Sequence, residues 1–126
     1  LTTIVDGETK DPDCKSIHTI LTHVVSSGYN YVVVIRQSLG EDIAYFRQKK
    51  LADGQAYCAV LDDVVAYNAQ LFEDYPDLKL EEYNAAKKIT VRWGQVYDPE
   101  QLLEHAIVHI LRHRRQIERF LLRLRA

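Results

Sequence analysis

The most regular pattern of apolar and polar positions lies near the end of the chain, in residues 98–125. Apolar side chains recur there at intervals of three and four residues, which is the spacing of one face of an α-helix. Asp98 precedes the pattern as a predicted N-cap, Pro99 suits the first turn, and Gln101 completes a capping box. We therefore predict one long helix over residues 98–125.

Two further helices are predicted from the same spacing. Residues 14–37 and residues 55–74 each place apolar side chains along one helical face. Asp13 is the predicted N-cap of the earlier helix, with Ser16 as the alternative. Pro76 closes the later helix because proline cannot continue the hydrogen-bond ladder.

The remaining segments are predicted to be less regular. Residues 1–13 form an irregular lead-in, and residues 38–53 form a charged connection with room for one or two helical turns. Residues 79–88 contain good helix formers and predict a short helix. Residues 89–97 are β-branched and aromatic, so they predict an extended linker rather than a helix.

Composition restricts the class of protein. The chain has 126 residues, which fits a single domain over residues 1–126, and its 47% hydrophobic and 27% charged residues are typical of a folded protein. A net charge of −2 gives no sign of a nucleic-acid partner. No apolar run approaches the roughly 20 residues that span a bilayer, so no membrane partner is expected. Cys14 and Cys58 are interpreted as free thiols, which favours a cytoplasmic location.

The helix count leads to a prediction of the fold. Three helices cover a polar site poorly, whereas four helices close a bundle. The chain begins with Leu1 rather than methionine, so we expect a further helix before residue 1 or a second subunit that completes the core. The predicted fold is all-α, a four-helix bundle whose first helix lies before residue 1.

The candidate chemistry comes from the histidines, which are divided between the first and last predicted helices. The five are His18, His23, His105, His109 and His113. With Leu102 set to zero on the helical wheel, the apolar centre of the last helix lies at about 50°, His113 at about 20°, His109 at about 340° and His105 at about 300°. His109 and His113 therefore face inward one turn apart, and both can reach one metal ion.

A metal site needs a third protein ligand from another helix. His18 and His23 each lie about 110° from the apolar centre of the first helix, on opposite sides, so periodicity does not choose between them. Imidazole nitrogen suits Zn, Ni, Cu or Fe. The alternative interpretation is a cluster of hydrogen-bonded core histidines that bind no metal.

Several segments resemble one known family. The last helix, HAIVHILRHRRQIERFL, is similar to the final helix of the DinB/YfiT-like metalloprotein superfamily, which often carries histidines and ends in His-Arg-Gly-Gln. The corresponding residues here are His113-Arg114-Arg115-Gln116, with Arg115 where glycine is usual. The segment ILTHVV around His23 resembles the family's second helix, and RWGQVY resembles the lead-in to the last helix.

The resemblance implies a fold, a ligand set and a chemistry. It implies a four-helix bundle with a long crossover, the first helix lying before residue 1. It also implies that His23, His109 and His113 bind a divalent transition metal, most often Zn or Ni, with open positions for water or substrate. Some members are thiol-dependent transferases or isomerases, so a small-molecule substrate or a thiol is an expected partner. A homodimer is also expected.

Three functional hypotheses follow. The first is a metal-dependent enzyme that uses the three-histidine site, for example a thiol-dependent transferase. The alternative is a non-catalytic stress-response or binding module in which the metal is structural and the dimer face is functional. The third is a bundle whose histidines are satisfied polar core groups.

Two other kinds of residue on the last helix have an open role. Gln116 could orient an imidazole, although an ordinary position at the flank of the helix is the favoured interpretation. The arginines are predicted to form a solvated or intersubunit face rather than to bind anions. They are Arg112, Arg115, Arg119, Arg123 and Arg125.

Overall fold

One central helix packs against both of the others. The computed structural model describes residues 16–125, and its first helix, α1, contacts the second and the third. The elements in chain order are α1 (Ile17–Ser38), α2 (Gly54–Asp74), β1 (Ile89–Thr90), β2 (Val96–Tyr97) and α3 (Pro99–Arg125). The three predicted long helices are confirmed.

Side-chain caps fix where the helices begin. The Ser16 hydroxyl accepts a hydrogen bond from the backbone N–H of Thr19 at 3.1 Å, so Ser16 is the N-cap of α1. Ser16 was the alternative in the prediction, and the first-named cap, Asp13, lies outside the described residues. At the start of α3, Asp98 accepts from the Gln101 N–H at 2.8 Å and the Gln101 amide accepts from the Asp98 N–H at 3.0 Å. This reciprocal pair is the predicted capping box.

Helices α1 and α2 run parallel. Near their starts, the Thr22 hydroxyl lies 2.7 Å from the buried Tyr57 hydroxyl. Near their ends, the buried Arg36 guanidinium donates to Asp74 at 2.6 Å. One contact joins the starts of the two helices and the other joins their ends. The segment that connects the end of α1 to the start of α2 therefore has to run back along the whole length of α1.

That connection is an extended crossover segment, residues 39–53, and α1 side chains hold its backbone. Three such contacts follow one another from the C-terminal to the N-terminal end of α1. Gln37 contacts the Ile43 carbonyl, Asn30 contacts the backbone N–H and carbonyl of Phe46, and His18 contacts the Leu51 carbonyl. The helical turns expected within residues 38–53 are not formed. Its backbone groups find partners on α1 instead of in a local helix.

Helix α3 runs antiparallel to α1, and an apolar cluster fixes each end of the pair. Ile20, early in α1, packs with Phe120, late in α3. Ile35, late in α1, lies in a second cluster with Leu102, early in α3. All four side chains are buried, so the register of the two helices is set by apolar burial at both ends.

A small hairpin occupies the predicted linker. Ile89 pairs with Tyr97 and Thr90 with Val96 in an antiparallel ladder, and Gly94 takes a positive φ of +88° in the turn. The extended conformation predicted for residues 89–97 is confirmed, although the sequence did not predict that its two halves pair. The helix predicted over residues 79–88 is wrong, because only the single 3₁₀ turn Ala85–Lys87 forms there.

The predicted four-helix bundle is wrong. Within residues 16–125 the chain forms three long helices and a two-stranded antiparallel sheet. The fourth helix was expected before residue 1, outside the described residues, and the chain between α2 and α3 adds only a single 3₁₀ turn and the hairpin. An apolar groove of about 440 Å³ between those helices is lined by Val64, Ile110 and Ile117, among others.

Two predictions from composition can be compared with the structure. No helix within residues 16–125 has the length and apolar character that a membrane span requires. Cys58 is a free, exposed thiol, whereas Cys14 lies outside the described residues.

Helix α1 approaches α2 closely at Gly28. A Cβ atom built there would lie 2.6 Å from Cγ1 of Val64, which is buried. Valine is stiff at χ1, so it cannot easily turn away. The side chain of Asn68 also donates to the Gly28 carbonyl at 3.2 Å, which holds the two helices together at this level.

We predict that Gly28→Ala destabilises the protein by about 1 kcal/mol. Overpacking costs about 1–3 kcal/mol, and the better helix propensity of alanine returns up to about 1 kcal/mol. The free energy of unfolding in urea measures the effect. Gly54→Ala is the matched control, because nothing lies within 4 Å of the added Cβ.

The same measurement with Val64→Ala tests the cause. Val64→Ala should cost less in the Gly28→Ala background than in the wild type, since it makes room for the new methyl group. If Gly28→Ala were as stable as Gly54→Ala, the helices would not be held at this distance.

Candidate metal centre

Three histidines from two helices converge on one point. His23 comes from α1, and His109 and His113 come from α3. Nε2 of His109 lies 2.9 Å from Nε2 of His23 and 3.0 Å from Nε2 of His113. One ring nitrogen from each residue falls within 4.8 Å of the other two.

The packing of α1 against α3 places these rings. The triad lies between the Ile20–Phe120 cluster and the cluster that contains Ile35 and Leu102. His113 is only 4% exposed, in agreement with its place inside the predicted apolar stripe. His23 and His109 are half-buried. The edge-on ring contacts of His109 with both partners keep the three imidazoles at this spacing.

The histidine at the centre of the triad is held neutral. Burial lowers the pKa of His109 from its ordinary 6.5 to about 3, and the neighbouring histidines His113, His23 and His105 add to the effect. A neutral imidazole keeps the nitrogen lone pair that a metal requires. His109 is thus prepared for ligation at any physiological pH.

Gln116 fixes the orientation of one ring. Nδ1 of His113 lies 2.6 Å from Oε1 of Gln116, one turn further along α3. Because an amide oxygen accepts, the Nδ1 atom carries the proton and the Nε2 lone pair of His113 points toward the triad. A polar group that orients a ligating histidine in this way is common around metal sites. Gln116, which was predicted to be an ordinary residue at the flank of the helix, therefore contacts the histidine triad.

The arrangement fits a divalent transition metal. Metal–nitrogen bonds of about 2.0–2.1 Å hold neighbouring nitrogens about 3.0–3.4 Å apart, depending on the coordination angle. The separations from His109 Nε2, 2.9 and 3.0 Å, lie at or just below the short end of that range, and all three ligand nitrogens lie within 4.8 Å of one another. A proton can form a hydrogen bond between only two of these nitrogens at a time. A metal cation can accept the lone pairs of all three.

The other two histidines lie outside the triad. Nε2 of His18 lies 3.1 Å from the Leu51 carbonyl, so His18 anchors the crossover segment. The structure therefore places His23, and not His18, beside the two histidines of α3. His105 stacks on Trp93 with ring centroids 5.5 Å apart, and its Nδ1 lies 3.4 Å from the Tyr97 hydroxyl.

A cavity of about 830 Å³ opens beside the triad, and His23 and His109 form part of its wall. Small-molecule sites commonly measure about 300–1,000 Å³. The crossover segment contributes Tyr45 and Phe46 to the wall, and the hairpin contributes Trp93. The candidate centre is thus open to a ligand on one side.

Sequence reasoning missed part of this wall. The arginines of the last helix were predicted to form a solvated or intersubunit face, yet Arg112 lines the cavity one turn after His109. Its spacing of three residues from His109 was the available signal. Arg92 and Phe46 gave no signal, because they come to the cavity through contacts that are distant in sequence.

Comparison of the chain with protein-family models, with curated proteins and with solved structures finds no match.

Proposed function

We propose that His23, His109 and His113 bind one divalent transition metal ion, Zn or Ni, and that the ion serves a reaction of a small molecule in the adjoining cavity. The convergence of three imidazole nitrogens is the observation that carries the proposal. The low pKa of His109 and the Gln116 contact to His113 support it, since both favour neutral, oriented ligands.

The number of ligands favours catalysis over a structural role. Structural zinc sites have four protein ligands, whereas catalytic sites have three and keep an open position. The triad supplies three histidines from the described residues, and two of them face the cavity. An ion with an open position supplies Lewis-acid chemistry and lowers the pKa of a bound water or thiol.

The resemblance to the DinB/YfiT-like superfamily supports a thiol as the exchangeable ligand. It is carried by the segments around His23 and from His105 to Leu121, and those segments hold the three converging histidines. We propose a thiol-dependent transferase as the specific activity. The structural-metal alternative would require a fourth protein ligand in place of the open side.

Metal binding should stabilise the fold. An ion that binds only the folded protein adds about 2.7 kcal/mol when its free concentration is one hundred times Kd, which raises the melting temperature by roughly 10 °C. We expect this rise on addition of Zn²⁺ to metal-free wild type, and its reversal by a chelator. His109→Ala should abolish the rise because the central ligand is lost.

His105→Ala is the matched control for that experiment. It removes a half-buried histidine from the same helix, one turn before His109, but outside the triad. The Zn²⁺-dependent rise in melting temperature should persist in this variant. A wild-type melting temperature that changes with neither zinc nor chelator would contradict the proposal. So would a His105→Ala variant that loses the Zn²⁺-dependent rise as completely as His109→Ala.

The role of Gln116 gives a second test. Gln116→Met keeps the size of the side chain but removes the acceptor for His113, so we expect Zn²⁺ affinity to fall about tenfold. Ser27→Ala is the control, because its hydroxyl lies 3.5 Å from His23 Nδ1, at the limit of a hydrogen bond. Calorimetric titration measures both. Unchanged affinity in Gln116→Met would show that this contact does not orient the ligand.

A further inference from the structure

The charge of the cavity beside the triad has one sign. Two arginines, Arg92 and Arg112, lie in its wall, and none of the described residues that line it is an aspartate, a glutamate or a lysine. Three histidines complete the set of titratable nitrogens there. A pocket lined by cations and bare of carboxylates attracts anions and repels cations.

Arg112 is placed to bind such an anion. It lies three residues after His109 on α3, so the two side chains are neighbours on the surface of the helix. Arg112 is exposed, and no carboxylate within residues 16–125 forms an ion pair with it. By contrast, Arg114 on the same helix pairs with Glu118 at 3.1 Å. The guanidinium of Arg112 therefore keeps its hydrogen-bond donors for a ligand.

Arg92 of the hairpin provides a second cation in the wall of the cavity. Its guanidinium lies 4.4 Å from the centre of the Tyr45 ring, so it connects the hairpin to the crossover segment. Stacking on an aromatic face leaves the N–H groups in the guanidinium plane available to a carboxylate.

The rest of the wall offers flat apolar surface. The side chains of Trp93 and Phe46 are 50% and 42% exposed, respectively, and both line the cavity. Trp93 is stacked on His105, and Phe46 is stacked on Tyr29 with ring centroids 4.2 Å apart. These contacts hold both rings in place as firm platforms for a planar ligand.

We propose that the cavity binds a small carboxylate with a flat apolar or aromatic body. Arg112 holds the carboxylate, with Arg92 as the second cation, and Trp93 and Phe46 contact the body. The bound molecule then lies beside His23 and His109. This inference rests on the proposed function for what happens at the ion, but the binding itself does not require the ion.

A pair of probes tests the charge preference. Phenylacetate and its neutral isostere phenylacetamide are titrated into the full chain, free of metal, and binding is followed by NMR chemical shifts. Since charge-assisted hydrogen bonds are the stronger kind, we expect the carboxylate to bind about tenfold more tightly than the amide. Equal binding of the two probes would overturn the inference.

Two arginine variants test the assignment. Arg112→Gln should remove most of the preference for phenylacetate, and Arg112→Lys should restore part of it. Arg119→Gln is the matched control, because it makes the same charge change on an exposed residue of α3 that does not line the cavity. If Arg119→Gln lost as much of the preference for phenylacetate as Arg112→Gln, the effect would come from net charge, and the role of Arg112 would be overturned.

The same titrations separate this inference from the proposed function. If the protein prefers phenylacetate to phenylacetamide but does not bind Zn²⁺, the anion site is supported and the metal centre is contradicted. Zn²⁺ binding without any preference for the carboxylate would overturn the anion site and leave the metal centre standing.

Discussion

The site depends on the antiparallel packing of α1 against α3, which is fixed by apolar burial at both ends of the pair. Ile20 and Phe120 close one end, while Ile35 and Leu102 lie in the cluster at the other. Burying each such side chain contributes about 1.5–3 kcal/mol. The two clusters hold the helices together on either side of the three imidazoles, which lie within hydrogen-bonding distance of one another or of Gln116.

A second consequence concerns the path of the chain. Because α2 runs parallel to α1, the crossover segment has to return along α1, and side chains such as Asn30 pin its backbone there. That path brings Tyr45 and Phe46 to the side of the triad. The hairpin before α3 contributes Trp93 to the wall of the same cavity. The cavity is thus a product of the same helix arrangement that brings the histidines together.

Local signals predicted local features well. The capping box of Asp98 and Gln101 and the apolar stripe of α3 are set by neighbouring residues, and they also predicted that His109 and His113 face inward. The choice between His18 and His23 could not be made from one helix, because it depends on where the crossover segment runs. Pairing within segment 89–97 and the cavity position of Arg112 likewise arise from contacts between elements. The expected four-helix bundle is wrong because residues 16–125 form three long helices and a hairpin, and the apolar spacing along single helices does not show how many helices pack together.

The proposed metal centre holds one ion with three imidazoles. X-ray absorption spectroscopy of the zinc-loaded protein counts those ligands directly, through the outer-shell scattering of histidine rings. Three imidazole ligands per zinc, together with one or more oxygen ligands or a sulfur ligand from an added thiol, is the predicted result. One imidazole or none per zinc, or a zinc ion held mainly by sulfur without added thiol, would contradict the three-histidine centre.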